Sequence, residues 1–70
     1  MNEDIVKHPS HYKERNGIEC IKIAQTFNFN LGNVIKYIWR AGQKDSNKYI
    51  EDLQKAKQYI DFEIERVKSE

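Results

Sequence analysis

The sequence has few of the residues that small folds use for cross-links. Its 70 residues include one cysteine, one proline and two histidines. A lone cysteine excludes an internal disulfide, and so few histidines argue against a closed four-ligand zinc site. Because a chain of this length buries only about 60% of the surface that it exposes on unfolding, we expect it to form a homo-oligomer. Cys20 is expected to be a small buried hydrophobe.

Long apolar runs are also missing. No stretch approaches the roughly 20 apolar residues needed to cross a bilayer, and residues 1–10 contain no signal-peptide core. We therefore expect a cytoplasmic protein that does not contact membranes. The formal net charge is +1, yet residues 31–48 carry four basic side chains and one acidic one. This local charge is too small for a binder of long nucleic acid and suits a ligand with a few phosphates.

Helical spacing recurs along the chain, whereas alternating strand patterns and internal repeats are absent. The spacing predicts an all-α domain over residues 8–70, in which a helical hairpin is followed by a long C-terminal helix. A flexible segment at residues 1–7 and an ordered loop precede the hairpin. The helices are expected at about residues 18–27, 31–42 and 46–68. Asn30 is the expected N-cap of the second, and Asp45 or Ser46 that of the third.

Residues 31–44, LGNVIKYIWRAGQK, combine a large apolar load with a row of polar and basic side chains. At 100° per residue the core face consists of Leu31, Val34, Ile35, Ile38, Trp39 and Ala41. The opposite face consists of Asn33, Lys36, Arg40 and Lys44, with Tyr37 on the flank. Such a row is either a solvated helix surface or an anion-binding surface. Arg40 offers a planar fork for phosphate and Lys36 a movable charge.

Two further groups of residues have alternative interpretations. His8, His11 and Tyr12 lie in a loop that contains Pro9; they either cover the core or stack on a base and donate to phosphate. The carboxylates of Glu19 and Asp52 could hold a magnesium ion that carries phosphates. Otherwise Glu19 is a first-turn acid and Asp52 an ordinary partner of Lys55. The chain has no GxxxxGK[ST] loop and no Ser–His–Asp or Cys–His nucleophile pattern.

Four motifs resemble one family in their order and composition. They are HPxHY at 8–12, GIECI at 17–21, GNxxKYxxRAGxK at 32–44 and EDLxKAxxY at 51–59. Over residues 7–66 the chain resembles the small phage-encoded family of unknown function DUF3310. Members are commonly described as nucleotide-kinase-like, because a related segment occurs in a phage nucleoside monophosphate kinase that lacks a P-loop.

The resemblance implies a cytoplasmic phage protein that binds a phosphate-bearing nucleotide at an oligomer interface. If it is an enzyme, it is a magnesium-dependent phosphotransferase, with Glu19 or Asp52 as the metal ligand. The alternatives are sequestration of a nucleotide signal to counter host defence, and a helical adaptor that binds another protein. Arg40→Ala is expected to abolish binding without unfolding. Lys44, Asp52 and Lys55 are left undecided, and the implied ligand-binding residues are His8, His11, Tyr12, Asn33, Lys36, Tyr37 and Arg40.

Overall fold

A computed structural model describes residues 12–43 and 45–70 of the chain. Within these ranges the secondary structure is helical and contains no strand, which confirms the all-α prediction and the long C-terminal helix. The middle helix packs against both of the others, while no Cα atom of the first lies within 8 Å of one in the third. The helices are α1 (Cys20–Ala24), α2 (Phe29–Arg40) and α3 (Tyr49–Lys68), with a 3-10 turn (Ser46–Lys48) before α3.

A tight turn at Asn16 and Gly17 precedes α1. Both residues have positive φ, 52° and 74°, as a two-residue hairpin turn requires. Arg15 and Ile18 exchange two backbone hydrogen bonds of 3.0 and 2.9 Å across it. Because Ile18 is held in this turn, α1 begins two residues later than the spacing predicts. It also ends early, since the Thr26 hydroxyl and amide both donate to the Ile23 carbonyl.

The start of α2 differs from the prediction. Asn28, rather than Asn30, is the N-cap, and its side-chain oxygen accepts from the Leu31 N–H at 2.9 Å. The Asn28 and Asn30 amides both donate to the Glu63 carboxylate, at 2.9 and 3.1 Å. The Asn30 side chain therefore bonds to α3 and does not cap α2. The α2 helix starts two residues earlier than expected. Asp45 caps the 3-10 turn rather than α3, because its carboxylate accepts from the Asn47 N–H at 2.9 Å. The N-cap of α3 is Lys48, which makes no side-chain cap hydrogen bond, so neither Asp45 nor Ser46 caps that helix as predicted.

The apolar core of the described residues is small. Val34 is buried in α2, while Ile38, a predicted core residue, is 51% exposed. That prediction is wrong because the two helices that pack on α2 leave about half of this side chain exposed among the described residues. The remaining predicted core residues of α2 are half-buried. Cys20 is 4% exposed, as predicted, and the other buried apolar side chains are Ala24 and Ala56.

The α3 helix packs on α2 through a row that is partly polar. Asp52 is 3% exposed and Ala56 4%, while Tyr59 and Glu63 are half-buried along the same face. The apolar row of the same helix is partly exposed to solvent. It consists of Ile50, Leu53, Ile60, Ile64 and Val67, which are 37–61% exposed. No described helix has an apolar stretch of the length needed to cross a membrane.

Candidate functional site

Three basic side chains converge on the ring of Tyr37 at the α2–α3 interface. The Lys36 and Lys55 ammonium nitrogens lie 5.9 and 5.6 Å from the ring centroid, and the Arg40 guanidinium carbon lies 5.4 Å from it. Arg40 also lies 5.9 Å from the ring centroid of Tyr12. Each distance falls within the range at which a cation is attracted to an aromatic ring. We call these five residues the Tyr37 cluster.

The Tyr37 ring is fixed from the α3 side. It stacks on Tyr59 with a centroid distance of 5.9 Å and an interplanar angle of 17°. Phe29 and Phe62 meet the Tyr59 ring edge-on, at 6.1 and 5.6 Å. Because aromatic contacts of this kind add to the stabilisation from burial alone, the ring at the centre of the cluster is held by both helices.

Arg40 is oriented by a buried carboxylate. Its Nε lies 3.3 Å from Oδ1 of Asp52, whose side chain is 4% exposed. The other carboxylate oxygen accepts from the Gly42 N–H at 3.3 Å. Oδ1 has no partner with good hydrogen-bond geometry among the described residues, so the ion pair is mainly Coulombic. Asp52 is thus a positioning residue for Arg40.

The segment before α1 is attached to the C-terminal end of α2. The Trp39 indole N–H donates to the Lys13 carbonyl at 2.7 Å, and the Arg15 guanidinium donates to the Trp39 carbonyl at 2.7 Å. The Lys13 N–H donates to the Gln43 side chain at 3.1 Å. These bonds keep Tyr12 beside Arg40. Hydrogen bonding to Tyr12 is the main cause that raises the pKa of Arg40 above its ordinary value.

The positive charge of the cluster is only partly balanced. Lys55 pairs with Glu51 at 3.1 Å, but the same carboxylate also pairs with Lys48 at 3.3 Å. The hydrogen bond from Lys55 is the largest cause that lowers the pKa of Glu51. Lys36 has no acidic partner within residues 12–43 and 45–70. A net positive surface therefore remains beside an aromatic ring, as an anion site requires.

The structure brings together part of the predicted site. Tyr12, Lys36, Tyr37 and Arg40 share one cluster, whereas the Asn33 amide donates to the Phe29 carbonyl of its own helix at 2.9 Å. The predictions for residues 1–7, His8, His11 and Lys44 fall outside the described residues.

The alternative in which Asp52 pairs with Lys55 is wrong, because Asp52 pairs with Arg40 and Lys55 pairs with Glu51. Magnesium binding by Glu19 and Asp52 stays a prediction. The surroundings of Asp52 do not favour it, since a guanidinium and an amide already occupy its buried carboxylate. Elsewhere in the described ranges no three His, Cys, Asp or Glu side chains are grouped as metal ligands.

Sequence reasoning left two members of this arrangement undecided. Lys55 belongs to the cluster, and Asp52 orients Arg40 of the cluster through an ion pair. The signal for both was their i, i+3, i+7 spacing with Tyr59, which places the three on one face of α3. That face packs on α2, although the apolar row beside it has the stronger hydrophobic pattern.

A family described as a protein of unknown function (DUF3310) matches residues 6–61. The chain belongs to the DUF3310 family. The matched range of this DUF3310 chain includes all five residues of the Tyr37 cluster, together with Asp52 and Gly42. No curated protein and no solved structure matches the chain significantly.

Proposed function

We propose that this DUF3310 chain binds a phosphate-bearing nucleotide at the Tyr37 cluster. Phosphate oxygens would lie between Lys36, Arg40 and Lys55, and the base would lie toward Tyr12. The observation that carries the proposal is the placement of three cations within 6 Å of a single ring. Such cations repel one another, and a bound polyanion removes that repulsion.

The chemistry of the side chains favours phosphate over a carboxylate ligand. Arg40 offers a planar array of donors, and the two lysines add movable charges from different helices. Tyr12 adds an aromatic ring beside the guanidinium, suited to stacking against a base. A nucleotide satisfies both parts of the cluster, whereas inorganic phosphate satisfies only the cationic part. We therefore expect a nucleoside diphosphate to bind more tightly than pyrophosphate, which has the same number of phosphates.

Lys55 and Lys68 provide a matched test on one helix. Lys55 belongs to the cluster, whereas Lys68 is exposed in the last turn of α3. Lys55→Met is expected to weaken nucleotide binding about tenfold or more, which is the loss of one charge-assisted hydrogen bond. Lys68→Met should leave the affinity unchanged. Lys36→Met, with the exposed Lys22→Met as its control, tests the α2 side in the same way.

Calorimetric titration with mono-, di-, tri- and cyclic nucleotides of each base, and with pyrophosphate, measures these affinities. No binding by any of these compounds contradicts the proposal and favours the adaptor hypothesis. Equal losses in Lys55→Met and Lys68→Met would mean that only net charge matters. Thermal unfolding gives an independent readout, because a ligand of the folded state raises the melting temperature with its concentration.

Phosphoryl transfer stays a prediction that goes further than binding. Incubation with magnesium, ATP and nucleoside monophosphates yields new diphosphates if the chain is a phage-type kinase. Sequestration, as in defence against a host nucleotide signal, yields the bound nucleotide intact after denaturation. The cluster supports binding directly, so binding is the function proposed, and product analysis by chromatography separates these two outcomes.

A further inference from the structure

The exposed apolar row of α3 is a second feature that the nucleotide proposal does not use. Ile50, Leu53, Ile60, Ile64 and Val67 are 61%, 37%, 41%, 46% and 55% exposed. Together with Lys57 they follow the 3–4 spacing of a heptad seam, positions a and d in alternation. The seam extends over 17 residue steps, about 25 Å at 1.5 Å per residue.

The covered face of α3 lies elsewhere on the helix. Asp52, Ala56, Tyr59 and Glu63 pack toward α2, and at 100° per residue their mean direction lies about 100° from that of the seam. A neighbour on the seam would therefore meet α3 without displacing α2. It would also leave the Tyr37 cluster open, because Lys55 lies on the side of the covered face away from the seam.

We propose that the seam binds a second copy of this chain, with the two α3 helices antiparallel. The seam is self-complementary in that direction. A two-fold axis between residues 58 and 59 pairs Ile50 with Val67 of the second copy, and Leu53 with Ile64 of the second copy. Each such layer joins an a position to a d position, as antiparallel helices require. A parallel pair would instead place the two Lys57 ammonium groups against each other.

Charge favours the same register. Lys57 is the only charged residue in the seam, and the antiparallel axis places it beside Ile60 and Asp61 of the second copy. Neither Lys57 nor Asp61 has an ion-pair partner among residues 12–43 and 45–70. Pairing between the copies would neutralise both, twice per dimer. The small core of the single chain gives an additional reason to bury the seam, since domains of this size need supplementary burial.

Light scattering coupled to size exclusion tests the assembly. The native chain is expected to be a dimer, and Ile64→Glu is expected to raise the dissociation constant about a hundredfold or more, because the carboxylate would face Leu53 of the second copy. Gln58→Glu adds the same charge outside the seam, at an exposed position of α3, and should leave the dimer intact. A monomeric native chain, or an assembly that Ile64→Glu leaves unchanged, overturns the proposal.

Cysteine cross-linking tests the direction and does not depend on a disruptive change. In a Cys20→Ala background, the Ile50→Cys/Val67→Cys chain should form a covalent dimer with a short bifunctional maleimide. Neither single-cysteine chain should do so, because residue 50 lies about 25 Å from residue 50 of the second copy. Cross-linking of the single-cysteine chains to themselves indicates parallel helices and overturns the antiparallel register. Failure of the double variant to cross-link overturns it as well.

Discussion

Arg40 and Asp52 form an ion pair that joins the end of α2 to the first turn of α3, with 3.3 Å between Nε and Oδ1. The carboxylate is buried, while the Arg40 side chain is 26% exposed. The pair therefore serves both structure and site. It closes the connection between the helices, and it holds the guanidinium beside Tyr12 and Tyr37.

This arrangement changes the expected result of removing Arg40. The sequence alone predicts that Arg40→Ala loses binding and keeps the fold. Removal instead leaves a buried carboxylate without its counter-ion, which costs about 3–5 kcal/mol for fully buried pairs. Because Arg40 is partly exposed, we expect Arg40→Ala to lower the free energy of unfolding by about 2–3 kcal/mol. Denaturant titration measures the loss.

A second change at Asp52 identifies the cause. Asp52→Asn keeps an oxygen that can accept from the Gly42 N–H and removes the charge. If the unpaired carboxylate causes the loss, Arg40→Ala/Asp52→Asn should be more stable than Arg40→Ala. Additive losses would show that the two side chains are not coupled. Arg40→Lys keeps a charge beside Asp52, and should retain more stability than Arg40→Ala while losing the fork that suits phosphate.

Gly42 provides the next prediction, because its conformation and its surroundings both disfavour a side chain. Its φ is +69°, and a Cβ there would lie 3.2 Å from Cδ1 of Tyr49. Gly17 has a similar φ of +74° with nothing within 4 Å of its Cβ position. Gly17→Ala should cost about 1–2 kcal/mol, the price of the left-handed backbone. Gly42→Ala should cost more.

Thermal or denaturant unfolding of the two alanine variants compares them directly. The excess loss in Gly42→Ala reports the contact with Tyr49 and the disturbance of the Gly42 N–H bond to Asp52. Equal losses would show that Tyr49 moves aside freely. Nucleotide affinity of the Gly42→Ala chain provides a second readout, since a displaced Asp52 would also displace Arg40.

The sequence predicted the helices well and their packing faces less well. Helical periodicity identified α2 and α3. Spacing alone did not decide whether α3 packs through the face of Asp52 and Tyr59 or through the apolar row from Ile50 to Val67. The observed face carries Asp52 and Glu63, which bond to Arg40 and Asn30 of α2. These pairs join residues far apart in sequence, so the pattern of a single helix does not predict them.

The candidate site, too, could be predicted only in part from the sequence. Lys36, Tyr37 and Arg40 could be grouped from their spacing on one helix. Their neighbours Tyr12 and Lys55 come from other parts of the chain, and no local pattern relates them. One family motif also contains residues with different roles. In GNxxKY, Gly32 packs against α1, whereas Lys36 and Tyr37 belong to the cluster. A Cβ on Gly32 would lie 2.9 Å from the Ala24 carbonyl oxygen, so this glycine is needed for packing.

Glu63 gives a prediction about acid stability. Hydrogen bonds from Arg66, and then from Asn28 and Asn30, lower the pKa of Glu63 to about 2. A carboxyl group with a depressed folded-state pKa stabilises the fold above its unfolded pKa and loses that contribution as pH falls. The contribution of Glu63 should therefore be complete above about pH 4.5 and should disappear as the pH falls toward about 2.

Melting temperatures of the native chain and Glu63→Gln, measured from pH 7 to pH 2, test this expectation. The variant should be less stable at neutral pH, because a neutral amide binds Arg66 less well. The difference should narrow as Glu63 becomes protonated in the native chain. Glu65→Gln is the matched control, since Glu65 is exposed on the same helix. A difference that stays constant with pH would mean that the negative charge of Glu63 does not cause the stabilisation.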